Sequence, residues 1–368
     1  MARYITVAIH TYEKAIALRR QLENEGIAVE LNNVNLEVPG FSSGVRVRIP
    51  ETDLPLALRI IENRELFSSD AGNSAAHVIL VPVDLSENSY KAASLAAHIA
   101  SSQGARLQFL YSYIDPYIAG KVQFTDTVTY EVGDRGAREI MVQNARQLLY
   151  NFVSRLLNDM KRGVIPVVQL EHTVTEGVPE DAISEYAKAN PPYLIVMGTR
   201  AAVQKDKEMI GSVTAEVLDE GHFTVLTMPE PVELEAALRP KNILFLSNLD
   251  QNDILAIDTL YRIFGGDGTN VCIVHIPKKR RFSDSSADKA LRALSDYCRN
   301  NFEHYHFVSV PVNQADSERE FNKLNECNHF DMVVVPNRRR NAFSRLFNPG
   351  IAHRILFQTD IPMLIIPV

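Results

Sequence analysis

Residues 193–211 read YLIVMGTRAAVQKDKEMIG, and the rest of the chain is understood from this stretch. Tyr193-Leu194-Ile195-Val196-Met197 is a short apolar run of buried-strand character that ends at Gly198. A polar loop follows, carrying Gly198, Ala201 and Gly211, and Ser212 opens a helical stretch, SVTAEVLDE. A strand that hands its chain to a small-residue loop and then to a helix start can hold an anion, through bare amide N–H groups and the helix dipole. The layout recurs. Asp331 to Pro336 reads DMVVVP, and Gly198 lies as far from Pro229 as Pro336 lies from Pro367. The second copy lacks the small residues, so phosphate chemistry is expected in the first.

Outward from this stretch, short apolar strands alternate with helices, which calls for a parallel sheet covered on both faces. In the first copy, strands are expected at His77–Val83, Arg106–Tyr113, Val164–Glu171, Tyr193–Met197 and Phe223–Met228. A long helix is expected over Asp134–Lys161, with Ile140, Ala145, Leu148, Leu149, Phe152, Leu156 and Leu157 on its buried face. Residues 114–132 have no clear period and read as an excursion beside the sheet. The second copy, with strands at Ile243–Leu246, Asn270–Ile276, His306–Val312, Met332–Val335 and Met363–Val368, lacks that excursion. Before both copies, residues 1–70 read β-α-β-β-α, an antiparallel sheet with helices on one side. The expected division is therefore 1–70, a linker at 71–76, 77–232, a charged connector at 233–240, and 241–368.

Bulk properties narrow the function. A chain of 368 residues exceeds one hydrophobic core, and 46% apolar residues is ordinary for a globular protein. A net charge of -7 argues against nucleic-acid binding by bulk attraction. Cys272, Cys298 and Cys327 have no paired spacing, which suits a reducing compartment and suggests neither a disulfide framework nor a metal knuckle. The beginning MARYITVAIH lacks a signal-peptide pattern and no run is long enough to cross a bilayer, so the expectation is cytoplasmic, without a membrane.

Ligands of an open parallel sheet sit beyond the carboxyl ends of the strands. Val83 and Asp84 end the first strand there, and the Asp84 carboxylate can accept hydrogen bonds from an adenine or ribose. Gly198 and the Gly211-Ser212 pair offer amide N–H groups, and Ser212 adds a hydroxyl at a helix start. Asp84 equally suits a turn or helix cap, and the glycines suit turn geometry. No G-x-x-x-x-G-K-[ST], G-x-G-x-x-G or G-x-S-x-G is present, and no catalytic residue is assigned. Asp126, Glu131 and Asp134 form an acidic patch that can serve a nucleotide-bound magnesium or simply a solvated loop.

The segment Val81-Pro82-Val83-Asp84-Leu85-Ser86 followed by a helix resembles the opening of a universal stress protein domain. Gly198, Ala201, Gly211 and Ser212 match the spacing of that family's G-x2-G-x9-G-[S/T] loop, with alanine at the second glycine. The resemblance implies two tandem open parallel-sheet α/β domains of the adenine nucleotide alpha hydrolase type. It implies that Val83 and Asp84 meet the adenine of ATP or another adenine nucleotide, while Gly198, Ala201, Gly211 and Ser212 hold ribose and phosphates, with magnesium as a companion ion. In the second copy Asn248, Pro336 and Pro349-Gly350 stand at the matching places, so that copy is expected to be structural. The final strands, Thr224–Met228 and Pro362–Ile366, are expected to pair in a homodimer or an intrachain pseudo-dimer. Residues 1–70 resemble a small α+β ferredoxin-like signal-transducing domain and are a candidate for a protein partner. The implied role is a nucleotide-binding stress-response or signalling protein, with at most slow hydrolysis; the alternative is a nucleotide-free scaffold built from the same repeats.

Overall fold

The computed structural model describes residues 3–10, 12–34, 44–54, 56–57, 77–114, 135–199, 212–220, 223–250, 252–265, 268–275, 284–311, 324, 328–337 and 360–368. The chain divides into two compact units: 76–238 with 339–363, and 1–75 with 239–338 and 364–368.

The unit containing residues 76–238 is built on β4 (Val78–Pro82), β5 (Arg106–Tyr113), β6 (Leu170–Glu176), β7 (Leu194–Thr199) and β8 (Val225–Pro229). They lie in the order β8-β7-β4-β5-β6, and each described pair is parallel. Strands β4, β7 and β8 are almost wholly buried, as their unbroken apolar runs require in a sheet covered on both faces. The helices are α2 (Glu87–Gln103), α3 (Arg135–Lys161), α4 (Pro179–Ala189), α5 (Ser212–Glu220) and α6 (Leu234–Leu238). Helix α2 starts on the Ser86 cap and ends at Gly104, whose φ of 62° is the left-handed stop that favours glycine.

Two expectations need correction. The strand expected at Val164–Glu171 forms instead at Leu170–Glu176, pairing with Leu107–Tyr113. Pro166 cannot donate to a ladder, and the apolar residues Val164 and Val167 lie exposed before the strand begins. In α3, Ala145, Leu149, Phe152 and Leu156 are buried, but Ile140, Leu148 and Leu157 are exposed. A single sheet face covers only one stripe of a helix, so the outer apolar positions remain in solvent. The expected excursion at 114–132 and the linker at 71–76 lie almost wholly or wholly outside the described residues.

In the other unit, β1 (Tyr4–His10), β2 (Glu30–Val34) and β3 (Gly44–Pro50) form an antiparallel sheet in the order β1-β3-β2. Helix α1 (Tyr12–Asn24) ends in a Schellman turn: Ile27 N–H donates to Leu22 O, and Gly26, at φ 82°, donates to Glu23 O. Val45, Val47 and Ile49 of β3 share a core with Ala15, Leu18 and Leu22 of α1. The period of two then puts Arg46 and Arg48 on the opposite face.

The same unit holds β9 (Asn242–Leu246), β10 (Thr269–His275), β11 (Tyr305–Pro311), β12 (Met332–Asn337) and β13 (Met363–Pro367), in the order β11-β10-β9-β12-β13. Pairings β11-β10, β10-β9 and β9-β12 are parallel. Its helices are α7 (Asn252–Phe264) and α8 (Asp284–Asn301).

Arg46 joins the small sheet to these helices. Its side chain is 1% exposed. Nε donates to Thr6 Oγ1, Nη1 to Tyr297 OH at 3.0 Å, and Nη2 to Asp258 Oδ1. Burial disfavours the guanidinium charge, but Asp258 and Tyr297 outweigh it and raise the pKa. The ring of Phe302 lies 5.0 Å from the guanidinium carbon. Arg3 adds a second link, donating to Tyr261 O at 2.5 Å.

Candidate functional site

In the order β8-β7-β4-β5-β6, β4 has β5 on one side and β7 on the other, so the crevice beyond β4 and β7 is the switch point of the sheet. Val83 and Asp84 leave β4 there; Gly198 and Thr199 end β7 at its other wall. Val83 is buried and its N–H donates to Leu110 O at 2.9 Å, which fixes where the chain leaves the sheet. Asp84 is exposed.

Among the described residues, Ser86 and Ser89 hold the Asp84 carboxylate through Oδ1. Ser86 N–H donates to Oδ1 at 3.0 Å, and the Ser89 hydroxyl donates to the same oxygen. Ser89 Oγ accepts in turn from Asp84 N–H at 3.1 Å, while Ser86 Oγ accepts from Ser89 N–H at 3.1 Å and caps α2. Partial burial raises the Asp84 pKa, but the bonds from Ser86 and Ser89 outweigh it and bring it below the ordinary value. Asp84 is thus an ionised, oriented carboxylate. The loop turns on Leu85, whose φ of 66° is rare for a branched residue. Asp84 is both the cap residue and the candidate ligand that sequence allowed; Ser86 and Ser89, signalled by an S-x-x-S start to the helix, were not singled out.

Across the crevice, Asn88 Nδ2 donates to Thr199 O at 2.6 Å, and Asn88 Oδ1 is buried without a hydrogen-bond partner. A Cβ on Gly198 would lie 3.0 Å from Asn88 Nδ2 and 3.1 Å from its carbonyl carbon and oxygen. Gly198 therefore allows β7 to approach the first turn of α2, whatever the loop beyond it does. Gly198→Ala is expected to cost about 1–3 kcal/mol through overpacking, read as a lower urea midpoint in the full chain. Ala201 and Gly211 lie outside the described residues, as do Lys205, Lys207 and the acidic patch at Asp126, Glu131 and Asp134. Ser212 is the first residue of α5, which places its backbone at the helix start. Among the described residues, no cluster of three or more His, Cys, Asp or Glu side chains could hold a metal ion.

In the other unit, the loop after β9 has a similar turn with different chemistry. Leu249 repeats the positive φ of Leu85, at 54°. Asn248 takes the place of Asp84, and its Nδ2 donates to Pro336 O at 3.0 Å. That bond links the ends of β9 and β12, the switch point of this sheet. Asp253 takes the place of Ser89 and is fully buried. Its carboxylate accepts from Ser247 Oγ at 2.7 Å and from Asn248 N–H at 3.2 Å. Burial dominates and raises its pKa to about 7, against the lowering by these bonds. With the folded pKa above the unfolded 3.8, the folded state binds the extra proton. This stability is fully present below pH 3.8 and is lost as pH rises toward about 7. Asp253→Asn is expected to flatten that fall in a urea-midpoint series across pH.

Comparison with known proteins places these observations. Residues 76–229 match the model of the universal stress protein family. A universal stress protein of Methanocaldococcus jannaschii is 24% identical over 161 residues, covering 44% of this chain and 86% of that protein. The crystal structure of a universal stress protein from Archaeoglobus fulgidus shares the fold with a TM-score of 0.56 at 15% identity, over 79% of this chain and 98% of that one. A universal stress protein solved in complex with cAMP aligns with a TM-score of 0.31 at 22% identity, over 42% of this chain and 97% of its own.

Proposed function

We propose that the universal stress protein domain at residues 76–229 binds an adenine nucleotide, and that the chain serves a stress or signalling response. The supporting observation is the exposed, ionised Asp84, fixed through one carboxylate oxygen at the switch point. Its other oxygen is not engaged by these bonds and can accept from the adenine amine or a ribose hydroxyl. The orphaned Asn88 Oδ1 beside Gly198 is a second acceptor suited to a hydroxyl-bearing guest. These residues fit the sugar and base of a nucleotide. Val83 would form the floor beside the base. Gly198, Ala201, Gly211 and Ser212 would offer backbone N–H groups to ribose and phosphates, with magnesium neutralising phosphate charge when bound.

In this reading the second copy is structural. Asn248, in the place of Asp84, spends its amide on Pro336 O, and the nearby carboxylate of Asp253 is buried. Residues 1–70, read as a ferredoxin-like signal-transducing domain, would take a protein partner through the outer side of α1, where Arg19 and Arg20 are exposed. One observation favours the nucleotide-free scaffold: packing against Asn88 accounts for Gly198 without any ligand. Calorimetric titration of the full chain with ATP, AMP and cAMP, each with and without magnesium, separates the two. Saturable heat with one nucleotide supports binding. No heat and no thermal shift at millimolar concentrations leaves the scaffold reading.

A further inference from the structure

On the basis of the nucleotide reading above, we infer that Asn88 makes the crevice beyond β4 and β7 selective for a ribonucleotide over a deoxyribonucleotide, by accepting a hydrogen bond from a ribose hydroxyl. Asn88 is the second residue of α2 and is half-buried. Its amide is pinned at one end, where Nδ2 donates to Thr199 O at 2.6 Å. A carbonyl oxygen can only accept, so Thr199 fixes which end of the amide faces it, and the group cannot flip to relieve Oδ1. Oδ1 is buried and has no hydrogen-bond partner. A buried acceptor left empty is costly and rare, and it calls for a donor.

The surroundings narrow the choice of donor. A Cβ on Gly198 would lie 3.0 Å from Asn88 Nδ2 and 3.1 Å from the Asn88 carbonyl, so the backbone of β7 lies directly against this residue. A hydroxyl fits beside such a close approach better than an ammonium or a ring does. On an adenine nucleotide the donors are the exocyclic amine of the base and the ribose hydroxyls; the phosphates only accept. Asp84, exposed and charged at the end of β4, keeps one oxygen outside the bonds from Ser86 and Ser89, which suits the base amine or one hydroxyl. With the base near Val83 and the phosphates near Ser212, the sugar lies at the Gly198 wall, and its hydroxyls are the donors that reach Asn88. A deoxyribonucleotide has the same base and phosphates but would leave Oδ1 buried and empty. A site built to bond a hydroxyl rejects the analogue that lacks it far more strongly than an apolar pocket can. The structural task of Asn88, tying the first turn of α2 to the end of β7, uses Nδ2 alone and entails no such preference.

Calorimetric titration of the full chain with ATP, 2′-deoxy-ATP and 3′-deoxy-ATP, each with magnesium, tests the assignment. ATP should bind, and one of the deoxy compounds should bind about 10-fold more weakly. In Asn88→Leu, which keeps the bulk of the side chain without its acceptor, the ratio between ATP and that compound should fall to about 1, whatever happens to overall affinity. A purely structural Asn88 would weaken all the compounds alike and preserve the ratio. Where Asn88→Leu lacks a cooperative thermal transition, Asn88→Ala is read by the same ratio, and the wild-type comparison needs no variant. Equal affinity of the wild-type chain for ATP and both deoxy compounds would overturn the inference while leaving nucleotide binding intact. A preference that survives both substitutions would overturn the assignment to Asn88. No binding of any of these compounds would overturn the inference together with the nucleotide reading.

Discussion

Arg46→Ala is expected to destabilise the unit formed by residues 1–75 and 239–338 by about 3–5 kcal/mol, because it leaves Asp258 buried and uncompensated. Asp258 Oδ2 already has no hydrogen-bond partner, and Oδ1 would lose the guanidinium. Thr6 and Tyr297 would lose a donor at the same time. The pair is not intrinsically a large net stabiliser, since burying both charges costs much of what their attraction returns. The sharper expectation is therefore a contrast. Arg46→Met with Asp258→Leu should recover most of the loss, because apolar groups of similar size remove both desolvation costs. Urea unfolding of wild type, both single variants and the double variant measures the coupling. Equal losses in the Arg46→Ala and double variants would show that packing, rather than the stranded charge, dominates.

Asp84→Ala is expected to weaken adenine-nucleotide binding roughly 10- to 100-fold, the effect of removing a charged hydrogen-bond acceptor worth about 1.5–3 kcal/mol. Asn248→Ala should leave binding unchanged, since Asn248 spends its amide on Pro336 O. Asp84 also holds the start of α2, so the alanine variant will lose some stability with its affinity. Asp84→Asn separates the effects. Its amide oxygen can still accept from Ser86 N–H and Ser89 Oγ, but the carboxylate charge is gone. Affinity lost in Asp84→Asn at near-normal thermal stability would assign the effect to ligand contact. Equal losses on changing Asp84 and Asn248 would remove the distinction between the two copies.

Much of the parallel-sheet layout was legible in sequence because a strand buried on both faces must be apolar throughout. The runs ending at Val83, Met197 and Val335 satisfy that condition. Strand β6 did not: it is an edge strand, with alternating polar residues and an apolar approach that misplaced its start by six positions. Asp84 could be singled out as a candidate because its place follows from the end of a strand. Ser86, Ser89 and Asn88 could not be weighed, since a hydroxyl or amide acquires its role only when a particular partner comes within 3 Å or so.

The amino-acid order by itself determined most of the strands and helices, and that Asp84 and Asn248 stand after the apolar runs 78–83 and 243–246. These follow from local periodicity and residue chemistry. Only the tertiary structure decided that Arg46 and Asp258, far apart in the chain, meet in a buried pair, and that Gly198 gives room to Asn88. It also decided that β6 starts at Leu170 and pairs with β5 along Leu107–Tyr113. Each depends on distances between residues remote in sequence, and periodicity along a chain carries no information about such distances.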